Sequence, residues 1–138
     1  MSAEGIGECI KLALYARLLR QSRGSIIDVA SMNTFLALPF IPAYCASKGG
    51  VVMLTMSLAL AWADGVRVNA IAPGYVETPI DAASRRDQAH DERIRSRIPL
   101  GRWAQPEDIA GSTVYLASPV AHCVTGTVLA VDGGFLAG

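Results

Sequence analysis

Tyr44 and Lys48 stand four residues apart in the stretch YCASK, with Ser31 thirteen residues upstream of the tyrosine. A phenol, an ammonium and a hydroxyl held together can move a proton to or from a substrate oxygen. On a helix a spacing of four puts the phenol and the ammonium on one face, a turn apart. A free tyrosine titrates at about 10, and a neighbouring ammonium favours the phenolate, which brings the phenol toward acid or base work near neutrality. Ser31 would supply a hydroxyl to orient a carbonyl. A Tyr and a Lys at helical spacing also describe an ordinary amphipathic surface, so the surrounding elements have to decide.

Ile6, Ile10, Leu14 and Leu18 recur at helical spacing, which predicts a helix over residues 3–22 ending before Gly24. Ser25 to Ala30 predicts a short buried strand. A second helix is predicted from Pro42 and Ala43, through Tyr44, Lys48, Val51, Val52, Leu54 and Leu58, to about Ala63, with a turn at Asp64 and Gly65. Val66 to Ala72 reads as another strand. Gln105-Pro106-Glu107-Asp108 marks a helix start, with Pro early and acids at the N-terminal dipole. Thr127 to Val131 is a last strand, ended by Asp132-Gly133-Gly134. Helices alternating with short apolar strands predict parallel crossover units in a layered α/β domain, whose sites lie at strand C-terminal ends. Ser31 follows the first strand, and the loop PGYVETP, Pro73 to Pro79, follows the second; alone, that loop is a simple Pro-Gly turn.

The 138 residues, 51% of them apolar, suit one domain with a modest core over 1–138. Zero net charge gives no reason to expect a nucleic acid or an anionic membrane as partner. The longest uninterrupted apolar stretches are shorter than a membrane span of about 20 residues. Cys9, Cys45 and Cys123 lack CxxC spacing, which predicts reduced thiols without a metal or disulfide framework. Glu4 and Glu8 precede Lys11 with no cleavage site after them, so a cytoplasmic protein is expected. The charged run from Ile80 to Arg97 reads as solvated helix faces, with His90 and His122 as exposed side chains.

The ordered blocks GSIIDVAS, AYCASKGG, GVRVNAIAPGYVETP, GRWAQPEDIA and VTGTVLAVDGG extend from Gly24 to Gly134. They closely resemble the C-terminal half of the short-chain dehydrogenase/reductase family, soluble enzymes that interconvert alcohols and carbonyls with NAD or NADP. The resemblance implies a truncated Rossmann-like, doubly wound parallel sheet made of the C-terminal strands and helices only. It implies that Tyr44 exchanges a proton with the substrate oxygen, Ser31 holds that oxygen, and Lys48 lowers the phenol's pKa and bonds the nicotinamide ribose. Pro73, Gly74, Val76 and Thr78 would follow the cofactor, Thr78 through the carboxamide or a phosphate. Residues 80–97 would form the substrate lid, and the last strand and turn would make subunit contacts.

The sequence also departs from the family. No GxxxGxG or GxGxxG opens a helix; Gly5 and Gly7 form only EGIGE, so the turn that cradles the pyrophosphate is not found. The relay asparagine expected near Ala3 and Glu4 is missing, Asp28 stands where relatives carry Asn, and the turn at Asp64 is about one residue short. Asn69 matches a structural position. A sheet of only these strands would expose the edge and faces of the serine strand, which implies self-association as a dimer or tetramer through the N-terminal helix and the helix bearing Tyr44. Two readings follow. One is an oxidoreductase acting on a small-molecule alcohol or carbonyl; the other is a catalytically inactive, truncated relative serving as an oligomerisation or interaction module, or a fragment without independent function.

Overall fold

The computed structural model describes residues 18–79 and 82–138. Three strands, β1 (Ser25–Val29), β2 (Arg67–Pro73) and β3 (Val128–Val131), form a parallel sheet in the order β1-β2-β3. Ile27 faces Asn69 and Ala72 faces Ala130 across the two ladders. Parallel neighbours need long crossovers. The first is α1 (Pro42–Ala61); the second contains α2 (Ala82–Arg86), α3 (Gln88–Arg95) and α4 (Pro106–Ala117).

β2 is the central strand and is buried from Val68 to Ala72. Its even-numbered residues meet α1: Ala70 and Ala72 cluster with Val52 and Ala30, while Val68 clusters with Ala59 and Val66. On the alternate face the Arg67 guanidinium reaches the Leu116 carbonyl at the end of α4, at 2.8 Å. Helices therefore cover both faces of the strand, as a sheet with near-continuous apolar strands requires. A further cluster, Met32, Ile94, Ile98, Trp103 and Phe135, lies beyond the strand ends, and Tyr75 meets Trp103 and Phe135 edge-on at 5.0 and 5.5 Å.

Element edges shift by one or two residues from expectation, each for a local reason. α1 stops at Ala61 and not Ala63, because Trp62 leaves helical geometry while its N–H still bonds Leu58. Val66 bonds back to Trp62, so β2 starts at Arg67, and it runs on to Pro73. β1 ends at Val29, although the Ala30 N–H still bonds Ile71. The Thr127 N–H goes to the Asn69 side chain, and β3 begins one residue later. Residues 18–22 are helical; the rest of the expected N-terminal helix, the asparagine position and Cys9 lie outside the described residues.

α1 holds 20 residues with a mean hydropathy of 1.3 over 18 of them, enough by length and composition to cross a membrane, unlike the shorter apolar runs within it. Its place as the crossover between two parallel strands explains that apolarity on one face. The other face leaves Met53, Met56 and Leu60 exposed, Leu60 at 84%. Among the described residues β1 pairs only with β2, and Val29 at its end is 56% exposed.

Candidate active site

Ser31 lies just past β1 and caps the 3-10 turn Met32–Thr34. Its Oγ accepts from the Asn33 backbone N–H at 3.2 Å and donates to Asn33 Oδ1 at 3.2 Å. Asn33 Nδ2 in turn donates to the Leu36 carbonyl at 3.3 Å. Ser31 and Asn33 are buried, at 6% and 7% exposure. Asn33 drew no role from the sequence, yet a Ser followed two residues later by Asn is a local turn signal that could have found it.

Pro42 opens α1 at its first turn and places Tyr44 and Lys48 on successive turns. The Tyr44 side chain is exposed, and Lys48 Nζ lies 5.8 Å from the centre of its ring. Lys48 Nζ donates to the Val29 carbonyl at 2.7 Å, and Thr34 Oγ1 donates to the Lys48 carbonyl at 3.1 Å. These two bonds join the Lys48 turn of α1 to both sides of the segment that carries Ser31. An ammonium has three donors, so two remain for a ligand. Below them Thr55 Oγ1 donates to Asp28 Oδ2 at 2.6 Å, tying α1 to β1 through the residue that departs from the family's Asn.

Because β1 and β2 are parallel, the loop after β2 leaves the sheet at the same end as Ser31. Pro73 closes β2, and the Gly74 N–H bonds the Val131 carbonyl at 3.1 Å. A Cβ on Gly74 would come 2.8 Å from Asp132 Cα and Cβ, so only glycine lets this loop lie against the turn after β3. Val76 bridges to Ala104, with the Glu77 N–H and the Ala104 N–H bonding across at 2.8 Å each. Arg85 pairs with Glu77 at 2.9 Å and lies 3.5 Å from the Thr78 carbonyl. The loop is therefore an ordered strip along 73–78 and not a free turn.

The charged stretch forms α2 and α3, broken at Asp87, which caps α3 by accepting from the His90 N–H at 3.2 Å. Asp91 and Arg95 pair along its outer side at 2.7 Å while Ile94 is buried. His90 is less open than the exposed side chain expected, half-buried with its Nδ1 2.7 Å from the Arg93 guanidinium; His122 is exposed. Cys45 is half-buried and Cys123 exposed, both as free thiols. A cavity of about 500 Å³ opens beside the Ser31 turn, walled by Phe35, Leu36, Phe135 and Leu136, with the Arg97 guanidinium 4.4 Å from the Phe135 ring centre.

Arg102 grips Asp108 with two bonds, 2.6 and 3.1 Å, and the Gln105 N–H adds a third at 2.7 Å. The Arg102 bond, with the Gln105 N–H behind it, lowers the Asp108 carboxyl to about 2, and Asp108 raises Arg102 in return. The pair sits at the start of α4 and fixes the strip that meets Val76.

A parallel β-α-β sheet with a serine past one strand, a Tyr-Lys pair on the following helix and an ordered loop past the next strand defines one half of a Rossmann-like fold. The chain belongs to the short-chain dehydrogenase/reductase family: residues 1–136 match the family described as enoyl-(acyl carrier protein) reductase. It is 48% identical over 120 residues to 2-dehydro-3-deoxy-D-gluconate 5-dehydrogenase of Bacillus subtilis strain 168, covering 86% of this chain and 47% of that protein. It is 47% identical over 116 residues to 3beta-hydroxysteroid dehydrogenase 1 of Eggerthella lenta, covering 83% of this chain and 44% of that one. The crystal structure of a gluconate 5-dehydrogenase from Burkholderia cenocepacia J2315 in complex with NADP and tartrate superposes with a TM-score of 0.84 at 38% identity, covering 89% of this chain and 49% of that one. The chain spans about half the length of the curated relatives it matches.

Proposed function

We propose that this chain carries the proton-transfer and nicotinamide-facing half of an NAD(P)-dependent oxidoreductase that interconverts a small-molecule alcohol and a carbonyl. The observation that carries this reading is the 2.7 Å bond from Lys48 to the Val29 carbonyl, which holds the helix bearing Tyr44 to the strand end bearing Ser31. The residues suit the nicotinamide end of the cofactor. Lys48 keeps two donors for ribose hydroxyls, and Pro73, Gly74, Val76 and Thr78 form a fixed strip at the same sheet end. The phosphate end has no glycine-rich turn to receive it in the 138 residues.

When bound, the nicotinamide supplies or receives the hydride. In this reading Tyr44 gives or takes the proton at the substrate oxygen, Ser31 fixes that oxygen, and Lys48 anchors the sugar beside them. Relatives of equal identity are named for a sugar acid and for a hydroxysteroid, so what this half shares with both is the chemistry and not the choice of substrate. The walls around Leu36 and Arg97 would set that choice. A second reading, a non-catalytic interaction module, draws support from the apolar outer face of α1, where Met53, Met56 and Leu60 are exposed. A homo-oligomer in the cytoplasm fits either reading.

The test is turnover by the purified chain with NAD or NADP over a panel of sugar acids and secondary alcohols, followed by cofactor absorbance. Turnover that Tyr44→Phe abolishes is the expected result. A folded wild-type chain that turns over no panel member with either cofactor contradicts the enzymatic reading of this chain and leaves an interaction module or a fragment without independent function.

A further inference from the structure

Successive residues of β1 turn their backbone groups to opposite sides of the strand. The Arg67 N–H bonds the Gly24 carbonyl at 3.2 Å and the Ala30 N–H bonds the Ile71 carbonyl at 2.8 Å, so residues 24, 26, 28 and 30 face β2. Ser25, Ile27 and Val29 therefore direct their N–H and C=O groups to the other side, where the described residues hold no further strand and Val29 is 56% exposed. By the same alternation β3 offers only Val128 and Ala130 to its open side, because the Thr127 and Val131 carbonyls are taken by Ala70 and Gly74. An open row of backbone donors and acceptors is a template for another strand unless prolines, bulges or charges guard it. The β1 register contains no proline and no bulge, and the one charge in the strand, Asp28, accepts from Thr55 on α1 at 2.6 Å. Lys48 takes one lone pair of the Val29 carbonyl, and a carbonyl has two.

We propose that the open edge of β1 is a contact between two copies of this chain, which pair antiparallel about a two-fold axis at Ile27 and join their three-stranded sheets into one. The occupant is a second copy because the edge is its own complement. Outward groups on alternate residues, centred on Ile27, match themselves when the strand is reversed. Ile27 then faces Ile27 of the partner subunit and Ser25 faces Val29 of the partner subunit, each pair exchanging both N–H···O bonds. In the intervening pairs Asp28 meets Ile26 of the partner subunit, so no like charges oppose one another. The contact stands apart from the nicotinamide reading and from the outer side of α1: it uses neither a cofactor nor Met53, Met56 and Leu60.

The experiment is amide hydrogen exchange, read by NMR, on the nitrogen-15-labelled 138-residue chain from about 10 μM to about 1 mM. The Ser25, Ile27 and Val29 amides are expected to exchange about tenfold more slowly at the top of that range, since the monomer fraction of a dimer falls as the square root of concentration. The Ile26 and Asp28 amides, which serve β2, should stay slow throughout. In a mixture of labelled and unlabelled chains the Ile26 α-proton should show a contact with Asp28 of the partner subunit. Ile27→Pro removes an outward N–H and no bond to β2, a place where an edge strand tolerates proline, and should abolish the concentration dependence. Ser25→Pro, at the first residue of the strand, is the deciding variant if Ile27→Pro does not fold. Slow exchange of the three amides at every concentration would show that the chain covers its own edge. Fast exchange at every concentration would leave association to α1 or the edge to a strand of another protein. Either result, a missing Ile26–Asp28 contact, or an unchanged dependence in a folded proline variant would overturn the proposal.

Discussion

Lys48 donates through Nζ to the backbone carbonyl of Val29 at 2.7 Å, which fastens the helix carrying Tyr44 to the strand that delivers Ser31. The bond is charge-assisted, exposed and spans 19 residues of sequence, so it links two elements that local propensity cannot align. Replacing Lys48 with Met keeps the aliphatic stem and removes only the ammonium. The expected loss is about 0.5–1.5 kcal/mol in chemical denaturation, below the range for shielded bonds to charged groups because solvent reaches this one. An unchanged midpoint would show that the tether contributes nothing to folding.

Gly74 lies so close to Asp132 that a methyl group there would sit 2.8 Å from its Cα and Cβ. Gly74→Ala must push the loop after β2 away from the turn after β3, at a cost of about 1–3 kcal/mol for overpacking against backbone. Thermal unfolding should report the loss directly.

Asn69 is fully buried and stitches β2 to the segment before β3, donating to the Val124 carbonyl at 2.9 Å and accepting from the Thr127 N–H at 3.1 Å. Asn69→Ala strands both backbone groups. A loss of about 2–4 kcal/mol is expected, because unsatisfied buried groups each bear their own desolvation penalty; a loss below about 1 kcal/mol would mean that the strand ends rearrange to repair the gap.

Asp108, lowered to about 2 by Arg102 and the Gln105 N–H, gives the chain an acid-labile contact. Its folded value lies below the ordinary 3.8, so its contribution is complete above about pH 4 and disappears as pH falls through about 2. Asp108→Asn should therefore flatten the stability profile between those limits and leave its neutral-to-alkaline limb unaltered in shape. A variant with the same acid slope as the wild type would place the proton uptake elsewhere.

The outer side of α1 exposes Met53, Met56 and Leu60 in a continuous apolar stripe. If that stripe joins copies of the chain, Leu60→Lys should lower the mass measured by light scattering toward that of a 14.6 kDa monomer. A wild-type chain already monomeric at the same concentration contradicts the oligomer.

Much of this architecture was legible because the signals were local. The apolar runs of β1 and β2 and the four-residue step from Tyr44 to Lys48 each read correctly in isolation, apart from ends that moved by one or two residues, whereas the loop after β2, a simple Pro-Gly turn when read alone, is an ordered strip. What escaped were relations between distant backbones. Nothing in YCASK says that the lysine will take the Val29 carbonyl, and PGYVETP does not reveal that Val76 will pair with Ala104. The break of the charged run at Asp87 was available as a cap signal but was masked by the regular alternation of Arg with Asp and Glu.

The central claim, that this half of the fold retains the nicotinamide side of the site, is tested most directly by calorimetric titration of the chain with NADH and NADPH. The account predicts saturable binding of at least one of them, weakened about tenfold or more in Lys48→Met by loss of charge-assisted bonds to the ribose. Absence of saturable heat at millimolar cofactor, or equal binding by the variant, would contradict it.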